Sequence, residues 1–207
     1  MTEIGNDQYS RRHFVTADDF LRILTKAAVL KTTFRHCDTE RGRRESVAEH
    51  SWRTALMAML LSGEEEFQGA DMDRVIRMCL IHDLGEAFTG DIPTFEKTDA
   101  DAQKEDALFL KWVDSFPKGQ RREWMDLLNE MDGQETTEAR LYKALDKLEA
   151  VISHNESDLA SWLPLEYELQ LTYGKENIRF SEYLTEFGRR IDEWTREKIA
   201  GGQDLHG

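Results

Sequence analysis

Proline, cysteine and net positive charge are all scarce in this chain, and each shortage excludes something. Three prolines in 207 residues leave long stretches free to be helical. Two cysteines, Cys37 and Cys79, are too few for a disulfide framework, so a reducing, cytoplasmic setting is expected. No apolar run approaches roughly 18 residues, so nothing is expected to span a membrane. No charged segment followed by an apolar run and a small-residue cleavage site opens the chain, so no secretory leader is expected. Acidic residues outnumber lysine and arginine, 41 to 27, for a net charge of −14. A field of that sign disfavours nucleic acid polymers and anionic lipid surfaces. Any anion must therefore be bound locally. One basic patch stands against the trend: Lys31, Arg35, Arg41, Arg43 and Arg44, with His36 among them. It is either a solvated linker or part of an anion site.

Strand-like alternation is nearly absent, and helical periodicity dominates. A first helix is predicted over Ala17–Lys31 after Thr16, with the apolar stripe Phe20, Leu21, Leu24, Ala27 and Ala28. Ser46-x-x-Glu49 is a capping-box pattern. It opens a second helix that runs through a core tryptophan, Trp52, and through Leu56, Met59 and Leu60 to Gly63. A third is predicted from Met72 to Phe88, stopping near Gly90. Two acidic helices follow, Asp101–Ser115 and Lys118–Glu130, separated by Pro117. A sixth covers Glu138–His154 on the stripe Leu141, Leu145, Leu148 and Ile152. A seventh begins near Pro164. The last covers Ser181–Ile199 and is expected to bury Leu184, Phe187, Ile191 and Trp194. The expectation is an all-α chain of about seven to eight helices. It has one domain over 1–207 with an ordered core near 17–199. The first ten residues and the tail from Gly201 are expected to be disordered.

The third helix carries the polar residues that matter. Cys79, His82, Asp83 and Glu86 fall at i, i+3, i+4 and i+7, on the face that Val75 and Met78 extend. Buried ionisable groups are costly unless paired or bound to metal. The alternative is a helix edge with solvated acids and a packed histidine. His50 lies four residues into its capped helix. Asp146 borders the Leu145/Leu148 stripe and is equally placed to be a surface acid between Lys143 and Lys147. Asp91 follows Gly90 and has the ordinary reading of a turn aspartate. If His50, His82, Asp83 and Asp146 converge, two imidazoles and two carboxylates suit one divalent metal.

The pattern His50 … His82-Asp83 … Asp146 resembles the metal-dependent HD-domain phosphohydrolases. The longer strings are more specific. Glu45-Ser46-Val47-Ala48-Glu49-His50-Ser51, His82-Asp83-Leu84-Gly85-Glu86, Gly90-Asp91-Ile92-Pro93 and Lys143-Ala144-Leu145-Asp146-Lys147-Leu148 look like the 5′-deoxynucleotidase branch. The resemblance implies a single HD-domain helical bundle with His50, His82, Asp83 and Asp146 as metal ligands. The donor types suit Mn, Fe, Co, Ni or Zn better than calcium. The resemblance further implies that Glu86 positions and deprotonates the attacking water. Asp91 would anchor the sugar or protonate the leaving group, and Arg35 would contact the nucleotide. Many members place tryptophan immediately after that arginine. This chain has His36, which puts deoxyribose selectivity in question and offers a further contact to phosphate. The implied activity is hydrolysis of (deoxy)ribonucleoside 5′-monophosphates to nucleoside and phosphate, by a homodimer. The alternatives are another phosphate ester (a nucleoside triphosphate, a cyclic nucleotide or a non-nucleotide) or a non-catalytic helical regulatory protein on the same scaffold.

Overall fold

Side-chain caps set where most helices begin. The computed structural model describes residues 15–39 and 41–203. Thr16 accepts from the Asp19 backbone and opens α1, Ala17–Ala27, which tightens into a 3-10 turn, Ala28–Lys31. Then comes a hairpin, β1 Phe34–Asp38 and β2 Arg44–Ser46, antiparallel, with Phe34 opposite Ser46 and Asp38 opposite Arg44. The Ser46/Glu49 capping box is formed and starts α2, Val47–Leu61. Asp71 caps α3, Met72–Ile81, and a short α4 covers Glu86–Thr89. A second capping box, Thr98 with Asp101, starts α5, Asp99–Asp114. Pro117 precedes α6, Lys118–Gly133, and Thr136 caps α7, Thr137–Glu156. The chain ends in α8 Glu166–Thr172, α9 Lys175–Ile178 and α10 Glu182–Gln203.

The core is built around α7, which packs against α2, α3, α6 and α10. Its Leu141, Ala144, Leu145 and Leu148 meet Val47 and Ala58 of α2, Val75, Met78 and Cys79 of α3, and Leu184 and Ile191 of α10 in one cluster. Each such large side chain contributes about 1.5–3 kcal/mol on burial. None of the described helices is long and apolar enough to cross a membrane.

Several expectations are corrected. Apart from Lys31, which ends the 3-10 turn, the basic patch is not a linker but the hairpin and its connecting turn. Its strands are too short and too charged to show alternation, and Arg44 braces them by donating to the Arg35 and His36 carbonyls at 3.1 and 2.9 Å. The third helix does not run unbroken to Phe88. It is interrupted over His82–Gly85. There Leu84, Glu86, Ala87 and Phe88 each donate to the carbonyl three residues back, the tighter 3-10 pattern. Gly85 is pressed against α5, where a Cβ would meet Glu105 Cγ at 2.8 Å. Trp52 is 61% exposed rather than in the core. The inward face of α2 is Ser51, Thr54, Ala55 and Ala58 instead, small residues that admit close neighbours. Phe20, Leu21, Leu24, Met59, Leu60 and Trp194 are likewise exposed. The helix expected from Pro164 starts at Glu166. Gly201–Gln203 belong to α10, whereas the expected disorder of the first ten residues lies outside the described residues.

Candidate metal centre and adjoining cavity

Three elements converge on one point. α2 supplies His50 one turn after its capping box, the turn after α3 supplies His82 and Asp83, and α7 supplies Asp146. His50, His82 and Asp83 each offer a ligand atom, all within 4.8 Å of one another. His50 Nε2 lies 3.1 Å from His82 Nε2, 3.5 Å from Asp83 Oδ2 and 3.4 Å from Asp146 Oδ1. His82 Nε2 lies 3.1 Å from Asp83 Oδ2 and 3.7 Å from Asp146 Oδ1. Asp146 is 8% exposed, so it is not a surface acid.

The proton inventory of the two imidazoles decides what belongs between them. His50 Nδ1 is hydrogen-bonded to the Glu149 carboxylate. His82 Nδ1 is 2.8 Å from the Cys79 carbonyl oxygen. Both partners only accept, so both Nδ1 atoms carry the proton. Two neutral imidazoles would then aim two Nε2 lone pairs at each other across 3.1 Å, with two carboxylates alongside. That arrangement calls for a cation, and it is how ligating histidines are ordinarily held. A proton is the alternative occupant. Burial opposes a charge on His82, yet Asp83 and Asp146 overcome it and raise its pKa to about 10. The Asp83 carboxyl is lowered, because His82 and His50 outweigh burial. Asp146 is lowered well below the ordinary range against burial by Lys147, Lys143 and the two histidines. Both lysines sit on its Oδ2, at 3.3 and 3.1 Å, which leaves Oδ1 for the centre. The four donors thus fit one first-row divalent cation.

Glu149 is a functional candidate that sequence reasoning missed. It is 0% exposed and gathers His50, Arg35 at 3.1 Å and Arg53 at 2.6 Å. Burial disfavours its charge, but His50, Arg35 and Arg53 hold its pKa down at about 2. Its one sequence signal was an acid beside Leu148 on an otherwise apolar helix face. Arg35 also donates to Glu45 at 2.8 Å, so the hairpin is tied to the centre through buried carboxylates.

Glu86 is buried, and its Oε2 has no hydrogen-bond partner. Burial and the carboxylates of Asp83, Asp91 and Glu105 push its pKa up to about 11. Gly90, at φ +80°, ends α4 and turns the chain into Asp91. Asp91 is raised by burial and by Asp83, with Arg35 opposing. Arg35, His36 and Asp91 line one cavity of about 100 Å³. His36 is not part of the metal set. Its Nε2 is 3.1 Å from Glu166, and its ring meets Phe95 edge-on. His82, Asp83, Lys97 and Lys143 line a second cavity of about 600 Å³.

Comparison with known proteins places the chain in a family. A family model described as "HD domain" matches residues 27–187. Human 5′-deoxynucleotidase HDDC2 is 29% identical over 116 residues, covering 55% of this chain and 55% of that protein. The chain thus spans about half the length of that curated relative. A 5′-deoxynucleotidase of Pasteurella multocida is 25% identical over 199 residues, 88% of this chain and 97% of its own length. The structure of a predicted metal-dependent phosphohydrolase from Magnetospirillum magnetotacticum superposes with a TM-score of 0.73 at 26% identity, over 89% of this chain and 97% of the other.

Proposed function

The chain belongs to the HD-domain family, and from that premise we propose that it is a metal-dependent phosphohydrolase that releases phosphate from nucleoside 5′-monophosphates. The observation that carries this is the convergence of the two imidazole Nε2 atoms, 3.1 Å apart, with the carboxylates of Asp83 and Asp146 beside them. The names of the relatives supply the substrate class. Residues 1–207 are taken as one HD domain. His50, His82, Asp83 and Asp146 are the proposed ligands, and Mn, Fe, Co, Ni and Zn all suit them.

Held by His50, His82, Asp83 and Asp146, a divalent metal would polarise the phosphoryl group and acidify a water beside Glu86, and its charge would oppose the burial and the neighbouring carboxylates that raise the Glu86 pKa. Glu86 then accepts the proton of that water through its unpartnered Oε2. Asp91 begins with a raised pKa and lines the cavity with Arg35. That places it to hold the sugar or to protonate the leaving oxygen. Arg35, fixed from behind by Glu45 and Glu149, and His36 contact the nucleotide. The two carboxylates thus do opposite work on opposite sides of the phosphoryl group.

Homodimer formation and a cytoplasmic location belong to the same proposal. The exposed apolar side chains of α1 and α2, Phe20, Leu21, Leu24, Met59 and Leu60, are what a twofold interface would cover. The deciding experiment is a phosphate-release screen over ribo- and deoxyribonucleoside monophosphates with each divalent metal in turn. Release from several monophosphates, with one metal per chain, is the expected result. Silence toward all of them by the metal-loaded protein would sink the proposal, and triphosphate as product would redirect it to nucleoside triphosphates.

A further inference from the structure

The cavity beside the metal centre ends in three buried polar atoms, one of which meets nothing in the chain. His36 Nε2, His154 Nε2 and Gln170 Oε1 are all buried, and all three residues line this cavity. Glu166 lies between the two imidazoles, 3.1 Å from His36 Nε2 and 3.2 Å from His154 Nε2. Glu166 is thus the partner of both rings, and Gln170 Oε1 is the atom left with none. The Leu163 amide also donates to Glu166 Oε2 at 2.6 Å, the oxygen that faces His154, and Oε1 faces His36. Gln170 is 7% exposed. A buried amide oxygen left unpaired is destabilising, because its hydration is lost and not replaced. That atom, beside two imidazoles held by Glu166 alone, marks where a ligand supplies the missing partner.

Position says which part of the ligand. Asp146, Ala150 and His154 stand at i, i+4 and i+8 on α7, one stripe of a single helix. Eight residues of helix rise about 12 Å. That is the reach from a 5′-phosphate at the metal to the far edge of its base, past a sugar beside Arg35 and Asp91. The walls suit a flat ring: Phe95 and Tyr173 face the cavity with Leu169. They are also fixed. Lys147 donates to the Tyr173 hydroxyl at 2.7 Å while contacting Asp146, and Thr94 Oγ1 is 3.1 Å from the same hydroxyl. Gly174, at φ +72°, brings the following turn so close that a Cβ there would meet Lys147 Cβ at 2.5 Å. His154 is held by Trp162, with ring centroids 4.8 Å apart.

We infer that Gln170, flanked by His36 and His154, is the floor of a nucleobase subsite, and that it selects bases by the N–H they present to its Oε1. This rests on the nucleoside monophosphate reading above. The ligand class is a nucleobase with an N–H donor beside a ring nitrogen or carbonyl, which the imidazoles meet.

The test measures binding of deoxyadenosine, deoxyguanosine, deoxycytidine, thymidine and base-free 2-deoxyribose by calorimetry, alongside phosphate release from the matching monophosphates. The metal-loaded wild type, Gln170→Leu and Gln170→Glu are compared. The wild type is expected to bind at least one nucleoside about tenfold better than deoxyribose, with unequal affinities among bases. Gln170→Leu should lose about tenfold on the preferred base and nothing on deoxyribose, flattening the order. Gln170→Glu keeps an acceptor oxygen and should restore most of the preference. Equal loss on every ligand, or no loss, overturns the subsite. Absence of base preference in the wild type overturns it too. Selective nucleoside binding without phosphate release would leave the subsite standing and remove the proposed reaction. Phosphate release insensitive to Gln170 would do the reverse.

Discussion

The molecule contains two clusters made of the same parts, each a pair of histidines with a buried glutamate, and they are built for different things. At the centre, Glu149 lies behind His50, on Nδ1, so Nε2 points forward into a group of ligand atoms. In the cavity, Glu166 lies in front of both rings, near Nε2 of His36 and His154. Among the described residues, only the first cluster brings three ligand atoms within 4.8 Å. Residue types do not make a metal site. The side on which the carboxylate meets the imidazole does, because it decides whether the free lone pairs converge. The second cluster instead closes on Glu166 and leaves Gln170 Oε1 unpaired at an open space, which suits a hydrogen-bonding ligand.

The comparison breaks most easily at Asp83. Asp83→Ala should remove bound metal and lower activity on the order of a thousandfold or more. Retention of one metal per chain by elemental analysis would show the ligand set to be wrong. Glu86→Gln separates chemistry from binding. It should keep the metal and slow turnover by about 10²–10⁴, and a loss of metal would make Glu86 a ligand instead. Glu149→Gln tests the carboxylate behind His50. Metal affinity should weaken by about 10–100-fold, read by competition with a chelator.

The same glutamate also predicts a pH effect on the metal-free chain. Its folded pKa, about 2 against an ordinary 4.5, is depressed. Its contribution to stability is therefore present above 4.5 and lost as pH falls toward 2. Urea unfolding across that window should show the loss in the wild type and a smaller slope in Glu149→Gln. The smallest effect on metal belongs to the second cluster. His154→Gln should leave metal stoichiometry unchanged, and a fall in bound metal would merge the two clusters into one site.

Much of this was legible from residue order. Thr16, the Ser46/Glu49 box, Pro117 and the α7 stripe place helices because caps and periodicity are local. His50, His82 and Asp83 were legible as a convergent set through their strings, and the structure brings them together with Asp146. The hairpin was not legible, since five residues of one strand and three of the other carry no periodic signal. Trp52 was misplaced for a related reason. Helical periodicity shows that a face is apolar, but α2 packs through its small and polar residues. Glu149, Lys147, Glu166 and Gln170 look like surface residues in one dimension, and their burial comes from elements distant in the chain.

The order of residues by itself determined an all-α chain of acidic character, its helix starts and the donors for a metal, because these depend on spacings of a few residues and on residue chemistry. Tertiary structure alone decided which nitrogen of each histidine faces inward, that His82–Gly85 leaves the regular helix against Glu105, and that Gln170 ends a cavity. Those outcomes depend on the approach of α5, α7 and α8 to residues tens of positions away, where packing, desolvation and charge pairing override local preference.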